Sequence, residues 1–217
     1  MSGDSNGHGS TDPGFFAVVH AQRACREFAD RAVDDDAIAR ILDAAVRAPS
    51  AENKQPWEFV VVRAADRRAA IGALMARAWE SVGRDFSRDR LPPEMLAEVE
   101  RGATGGIAAA PVHVVVGADT QRGLEVAAAE SIYPAVQNLL LAAGALGLGA
   151  ALTTIALGYA DELRTLVGFP AAVKPMAVVP IGYPARALGA SRRDAFADHT
   201  HRERFGTRWD QGTVGSS

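Results

Sequence analysis

Arg23 and Arg26 lie three positions apart in "QRACREF", residues 22–28, where the sequence predicts the end of the first helix. Arginines at this helical spacing point to the same side, so their two guanidinium groups can hold a phosphate or another anion between them. An exposed basic turn has the same composition. From these residues alone, an anion site and a basic turn both stay open.

A second group of polar side chains lies in "APSAENKQPWEF", residues 48–59, where two prolines bracket a short loop. Ser50, Asn53 and Gln55 offer hydrogen-bond donors and acceptors that suit the edge of a planar heteroaromatic ring. A polar turn that only joins a helix to a strand would carry similar residues. Both interpretations stay open here as well.

Other chemistry has little support in the sequence. No metal-ligand cluster, nucleophile elbow or phosphate-binding glycine loop is present, and His199 and His201 have no third ligand nearby. "GALGLGA", residues 144–150, follows a predicted helix instead of preceding one, which indicates a helix C-cap. Cys25 is the single cysteine and is interpreted as a small apolar residue.

Composition indicates one domain with a sizeable core, because 48% of the 217 residues are hydrophobic and 23% are charged. A net charge of −3 argues against a nucleic-acid or anionic-membrane surface. No apolar run reaches the ~20 residues that span a bilayer. The lone cysteine and the lack of a signal-peptide pattern favour a cytoplasmic location.

Hydrophobic periodicity predicts an α+β domain, since helices and strands mix without regular βαβ alternation. The predicted helices cover residues 13–22, 33–48, 66–83, 123–149 and 160–168. The predicted strands cover 57–63, 110–119 and 173–184, with a further short strand at 150–155. We expect a flexible leader at 1–12, one domain at 13–206 with a helical excursion at 84–106, and a tail at 207–217.

The order of these motifs resembles the FMN-dependent nitroreductase family. R-x-x-R-x-F is followed by a capped helix and then by A-P-S-x-x-N-x-Q-P-W-x-F-V-V. "APVHVVVGAD", "SIYPAVQNLLLAAGALGLGAALTT", "VVPIGYPA" and "SRR" fall where that family has its middle strand, core helix, last strand and C-terminal arginine. The likeness covers about residues 15–206. It implies a nitroreductase-like fold, with a central mixed or antiparallel sheet flanked by helices, in an intertwined homodimer that binds FMN at its interface.

The resemblance also implies roles for individual residues. Arg23 and Arg193 would reach the FMN phosphate, and Arg26 would stand near the pyrimidine edge of the ring, where it stabilises reduced flavin. The loop of the other subunit would line the ring and the ribityl chain, with Gln55 orienting it. The full implied set is Arg23, Ala24, Arg26, Pro49, Ser50, Ala51, Asn53, Gln55, Thr153, Thr154 and Arg193.

One part of the site departs from the commonest family pattern, R-R-S-x-R/K. Gln22 stands in place of the first arginine, and Ala24 stands in place of the serine that usually bonds phosphate. Fewer polar groups are therefore available to the phosphate. The resulting R-A-x-R pattern indicates a variant branch of the family.

The function that the resemblance implies is an oxidoreductase. NADH or NADPH would reduce FMN, and a small electron-poor acceptor, such as a nitroaromatic or a quinone, would then be reduced in a ping-pong mechanism. Because the chemistry belongs to the cofactor, no catalytic acid, base or nucleophile is expected in the protein. Two alternatives stay open. One is a specialised member, such as a reductive dehalogenase or a flavin-cleaving enzyme, with its substrate set by residues 84–106. The other is a flavin store or sensor without enzymatic activity.

Overall fold

The computed structural model describes residues 14–189 and 191–209, and its centre is an antiparallel sheet. The strands are β1 (Trp57–Val62), β2 (Val112–Asp119), β3 (Gly149–Ala150) and β4 (Val173–Gly182). They pair in the order β1-β2-β4-β3, which confirms the α+β class. The predicted leader and positions 210–217 of the predicted tail lie outside the described residues.

The helices confirm the sequence pattern, with shifted ends. Over the described ranges they are α1 (Phe15–Ala21), α2 (Asp35–Ala45), α3 (Ala65–Ala78), α4 (Arg84–Arg88), α5 (Pro93–Arg101), α6 (Ala128–Ala145) and α7 (Ala160–Val167). The predicted excursion at 84–106 is helical, since it contains α4 and α5 and ends in a π-helical turn at Gly102–Gly106. The short predicted strand at 150–155 is reduced to β3, which begins one residue earlier.

Both faces of the two central strands are buried, and the sequence of β2 shows why. Val114 and Val116 belong to the core beneath α2 and α6. Val115 faces the opposite way and belongs to a second core with Val178 of β4 and residues of α3 and α7. A strand that is covered on both sides is apolar at most positions, which accounts for the run of three valines at 114–116.

Helix α6 packs against one face of the sheet. Its buried face includes Ile132, Val136 and Leu139, and it packs along α2. After the helix ends, Gly147 takes a left-handed backbone conformation (φ 72°), and the N–H of Leu148 donates to the carbonyl of Ala143 at 2.9 Å. This is a Schellman-type C-cap. It confirms that the glycines of "GALGLGA" end a helix.

Candidate functional site

Arg23 and Arg26 do not lie on a helix, so the helical spacing predicted for them is wrong. Helix α1 ends at Ala21, and Gln22 already has an extended backbone (φ −63°, ψ 121°). The following segment is instead tied to the sheet region, since Cys25 N–H donates to the Ala150 carbonyl at 3.0 Å. Backbone pairing to β3 therefore prevails over helix continuation, and the tertiary fold brings the two arginines together.

The arginine segment is held by close packing as well as by hydrogen bonds. Cys25 is fully buried, its thiol donates to the Glu27 carbonyl at 3.3 Å, and burial raises the pKa of that thiol. A Cβ at Gly149 would lie 2.6 Å from Cys25 Sγ, so only glycine permits this approach. Cys25 is thus a packing residue, as its lack of a sequence partner indicates.

Two adjoining cavities, of about 420 and 320 Å³, open beside this segment. Both are lined by Arg23, Ala24, Arg26, Glu94, Glu98 and Arg192, and Arg193 lines the smaller one. The structure therefore brings together all the predicted residues of the phosphate end. Helix α5 supplies the two glutamates, so part of the predicted excursion does lie over this cleft.

The electrostatics of the cleft depend on Glu98, which the sequence analysis did not single out. Its Oε1 lies 2.8 Å from Arg26 Nη1, and its Oε2 lies 3.9 Å from Arg23 Nη2. One carboxylate thus bridges the two guanidinium groups. Nothing in the sequence distinguishes Glu98 from Glu94 or Glu100 of the same helix, because only the docking of α5 on the arginine segment selects it.

A buried histidine helps to place the end of the excursion. His113 of β2 is fully buried, and its Nε2 lies 2.9 Å from the carbonyl of Ile107, just after the Gly102–Gly106 turn. Burial lowers the pKa of His113 to about 4, so the ring is neutral near pH 7 and Nε2–H donates to that carbonyl. Nothing in the sequence singles out His113, because it looks like any polar position in a strand.

The polar loop has an unusual backbone. Glu52, Asn53 and Gln55 have φ values of 52°, 54° and 51°, in the left-handed region that disfavours side chains other than Asn and Asp. Two serine hydroxyls help to hold this form, since Gln55 N–H donates to Ser50 Oγ and Ala51 N–H donates to Ser131 Oγ. Strain of this kind is concentrated at ligand sites.

The side chains of this loop remain available for binding. Pro49, Asn53 and Gln55 are exposed, and Ser50 and Ala51 are partly buried. Gln55 Nε2 donates to Asn53 Oδ1 at 3.3 Å, which orients the amide of Asn53. The polar edge predicted for the loop is therefore present, supported from below by α6.

Within one chain, the loop and the arginine cleft are far apart. Ser131 supports the loop near the start of α6, whereas the arginine segment pairs with Ala150 beyond the end of that helix. The helical rise places these two ends on the order of 20 Å apart. No residue of the 49–55 loop lines either cavity in the described part of the chain. A site that uses both therefore needs two chains.

Thr153 and Thr154 lie near β3 but outside the two cavities. Thr153 is buried, its backbone pairs with Val178, and its Oγ1 accepts the N–H of Ile155 at 3.3 Å. Thr154 is exposed. A contact between these threonines and a ligand stays a prediction.

Comparison with known proteins identifies the family. A family model described as "Nitroreductase family" matches residues 19–183. The chain belongs to the nitroreductase family. This agrees with the arrangement of the sheet, the core helix and the arginine segment.

Two similar proteins extend over most of the chain. A relative from Methanothermobacter thermautotrophicus, provisionally named an NADH dehydrogenase/NAD(P)H nitroreductase, is 33% identical over 196 residues, covering 87% of this chain and 86% of the relative. A solved structure of a provisionally named nitroreductase from Desulfovibrio desulfuricans, in complex with FMN, is 30% identical. It covers 90% of this chain and 99% of that chain with a TM-score of 0.68, which confirms the nitroreductase-like fold.

A third relative belongs to a specialised branch. Iodotyrosine deiodinase 1 from Mus musculus is 26% identical over 183 residues, which is 79% of this chain and 62% of that protein.

Among the described residues, no group of side chains could hold a metal ion, and no helix is both long and apolar enough to cross a bilayer.

Proposed function

We propose that this nitroreductase-family chain is an FMN-dependent oxidoreductase that uses NADH or NADPH to reduce electron-poor acceptors such as nitroaromatics or quinones. The observation that carries the proposal is the cleft that brings together the cations Arg23, Arg26 and Arg193. The FMN bound by the Desulfovibrio desulfuricans nitroreductase supports the choice of cofactor.

The donor set fits FMN. Arg23 and Arg193 would hold the phosphate, since guanidinium groups pair well with phosphate oxygens and both line the same cavity. Arg26 would supply positive charge beside the ring. The strained loop at 49–55 of a second copy would complete the site with its exposed amides, which makes the functional unit a homodimer.

Bound FMN would supply the redox chemistry, accepting a hydride from NAD(P)H and passing electrons to the acceptor. The residues of this chain bind the cofactor and set its electrostatic surroundings. The side chain of Arg26 is fixed because it packs directly against Gly102. A Cβ added at Gly102 would lie only 2.8 Å from Arg26 Cδ. A guanidinium held in place would stabilise negative charge on the ring of reduced FMN.

The loss of two usual phosphate partners is consistent with this site. Ala24 is held in place by a parallel bridge between its backbone and that of Ala150. Its methyl side chain offers no hydroxyl to a phosphate. Arg192 lines both cavities and could replace one missing contact. We therefore propose a variant site that still binds FMN.

The proposal is tested by reconstitution and anaerobic reduction. Purified protein is loaded with FMN, NADH or NADPH is added without oxygen, and the flavin absorbance is followed before and after a nitroaromatic or quinone is added. Bleaching followed by recovery of colour supports the oxidoreductase. A flavin that stays oxidised supports the store or sensor, and failure to bind FMN contradicts both.

The deiodinase relative favours a second candidate, a specialised reductive dehalogenase. In that case the substrate would be set by the excursion at 84–106, whose helix α5 lines the cleft with Glu94 and Glu98. The same anaerobic assay distinguishes the two, with halogenated aromatics added to the acceptor panel. Halide release faster than nitroaromatic reduction would favour the specialised enzyme.

A further inference from the structure

Glu98 lies where an anionic ligand would have to bind. Its carboxylate bridges Arg26, at 2.8 Å, and Arg23, at 3.9 Å, and only 24% of its side chain is exposed. A phosphate cannot take the same N–H groups while the carboxylate keeps them. Two anions a few ångströms apart in a partly buried cleft also repel each other.

The position of Glu98 is determined by the backbone of the excursion. Gly106 lies so close to the arginine segment that a Cβ there would be 2.4 Å from the Arg26 carbonyl oxygen. A Cβ at Gly102 would lie 2.8 Å from Arg26 Cδ. The end of α5 is therefore docked on Arg26, and this docking directs Glu98 into the cleft.

Glu94 provides a comparison within the same helix. It lies one turn before Glu98 and lines the same two cavities. No ion pair joins Glu94 to any residue in the described ranges, whereas Glu98 pairs with both arginines. The two carboxylates thus carry equal charge into one cleft, and they differ in direct contact with the arginines.

We propose that Glu98 is an internal competitor for the anion site. Its carboxylate is shared between Arg23 and Arg26, and it must release Arg23 for a phosphate group that Arg23 binds. The identity of that phosphate, as the one in FMN, rests on the proposed function. Glu98 therefore weakens binding of FMN, mainly through its phosphate, and it reserves Arg23 for ligands that can displace a carboxylate.

Cofactor titrations of the apoprotein test this competition. FMN and riboflavin, which lacks the phosphate, are titrated into wild type, Glu98→Gln and Glu94→Gln by calorimetry. Removing a charge-assisted contact should tighten FMN binding by about tenfold in Glu98→Gln. Riboflavin, which would meet only Arg26 beside its ring, should gain clearly less affinity than FMN in Glu98→Gln, and FMN affinity should change much less in Glu94→Gln. Glu98→Asp, which keeps the charge but shortens its reach, should fall between wild type and Glu98→Gln.

Several outcomes would overturn the competitor. FMN affinity that is unchanged or weaker in Glu98→Gln would show that the glutamate does not compete, as would equal effects on FMN and riboflavin. An equal gain of FMN affinity in Glu94→Gln would mean that the effect comes from net charge in the cleft and not from direct contact with the arginines. If wild type binds neither flavin, the proposed function fails. Titration with inorganic pyrophosphate then tests separately whether Glu98 competes for the anion site. Tighter pyrophosphate binding by Glu98→Gln would support it, and unchanged binding would refute it. If Glu98→Gln does not fold, the same comparison is read from Glu98→Asp.

Discussion

The two arginines of the cleft are close in sequence but differ in their surroundings. Arg26 forms the shorter contact with Glu98 and packs its aliphatic chain against Gly102. Arg23 is more exposed, at 32% of its side chain against 23%, and its Nη1 lies near Gly189. A rigid cation suits charge that develops during a reaction, whereas a more accessible one suits a permanent charge such as phosphate.

We therefore expect different defects when each arginine is removed. Arg23→Ala should weaken FMN binding by about tenfold or more, because a charge-assisted contact to phosphate is lost. Arg26→Ala should slow the reduction of bound FMN by more than it weakens binding, because it stabilises charge that appears only on reduction. Fluorescence titration gives the affinity, and anaerobic stopped-flow absorbance gives the rate.

Arg47→Ala is the matched control for both variants, since Arg47 is exposed and pairs only with Asp43 among the described residues. It should leave affinity and rate unchanged. Parallel losses of affinity and rate in Arg23→Ala and Arg26→Ala would contradict separate roles.

The burial of His113 predicts that the folded chain becomes less stable in acid. The ring is buried and neutral, and its pKa is about 4 in the folded chain against 6.5 for an ordinary histidine. As pH falls from 6.5 toward 4, the unfolded chain takes up a proton that the folded chain refuses, so the free energy of unfolding decreases. The shift corresponds to a loss of about 3 kcal/mol. Urea unfolding at several pH values measures it.

His113→Gln keeps an N–H donor for the Ile107 carbonyl but cannot titrate. We expect this variant to lose less stability than wild type between pH 6.5 and 4. Identical pH profiles for the two proteins would assign the acid sensitivity to other groups. Carboxylates contribute to both proteins equally, so the difference isolates the histidine.

Sequence reasoning at this scale recovered the arginines but not their partner. Arg23 and Arg26 were predicted from a helical spacing that the chain does not adopt, and the motif order identified them nonetheless. Glu98 and His113 were not predicted, because their roles arise from long-range docking of α5 on residues about 70 positions earlier and from packing around β2. Composition and local spacing carry no signal for such contacts.

The polar loop is the element whose conformation is most unusual. Glu52 is held at φ 52°, whereas Lys54 in the same loop has an ordinary helical backbone (φ −72°). Left-handed backbone costs roughly 1–2 kcal/mol in a residue with a Cβ, and glycine adopts it freely. The fold therefore maintains this loop against its local preference.

Glu52→Gly should raise the free energy of unfolding by up to about 1 kcal/mol, because relief of strain outweighs the added freedom of the unfolded chain. FMN affinity should fall in the same variant, since the loop becomes less rigid. Lys54→Gly, the control with ordinary backbone, should lower stability instead. Stabilisation by both glycines, or by neither, would mean that the strain is not localised at Glu52. Chemical denaturation and FMN titration provide the two measurements.

Elements with strong patterns were predicted well, and weak ones were not. The valine runs of β1 and β2 predicted both strands to within two residues, although only β2 is buried along nearly its whole length. β3 has only two residues, too few for any periodicity to predict, and its place depends on pairing with β4. The start of α6 was predicted five residues too early, because the turn at Glu125–Ala127 has helix-like composition.

At the scale of the whole molecule, the two halves of the proposed site lie at opposite ends of α6. A homodimer can bring the arginine segment of one chain to the loop of the other, and each dimer then contains two equivalent sites. Defects in the two halves should therefore complement each other when they lie on different chains.

This complementation can be measured directly. Chains with Arg23→Ala and chains with Asn53→Ala are co-expressed with different affinity tags, and the heterodimer is isolated. One of its sites carries both defects and the other carries none, so we expect one tightly bound FMN per dimer. Either homodimer alone should bind FMN weakly. A heterodimer no better than its parents, or a monomer by light scattering, would place the loop and the arginines in separate sites.

Fold class and motif order were predictable from the sequence because they depend on hydrophobic periodicity and on short, specific strings such as A-P-S-x-x-N-x-Q-P-W. The assembly is different, since the exposed loop of one chain does not reveal which surface receives it. Its strained backbone was also invisible, because Glu52 and Gln55 have no intrinsic preference for left-handed conformations.

Ser131 supports the loop near one end of α6, and Ala150 lies beyond its other end. The helix therefore sets both the distance and the rotation between the loop and the arginine segment. Inserting one residue in its middle would lengthen it by about 1.5 Å but rotate one end by about 100° relative to the other. Point substitutions on its exposed face should be tolerated, whereas single-residue insertions would misalign the loop and the arginine segment in both proposed sites of the dimer. Natural length variation in this protein should therefore be found in its loops and not in α6.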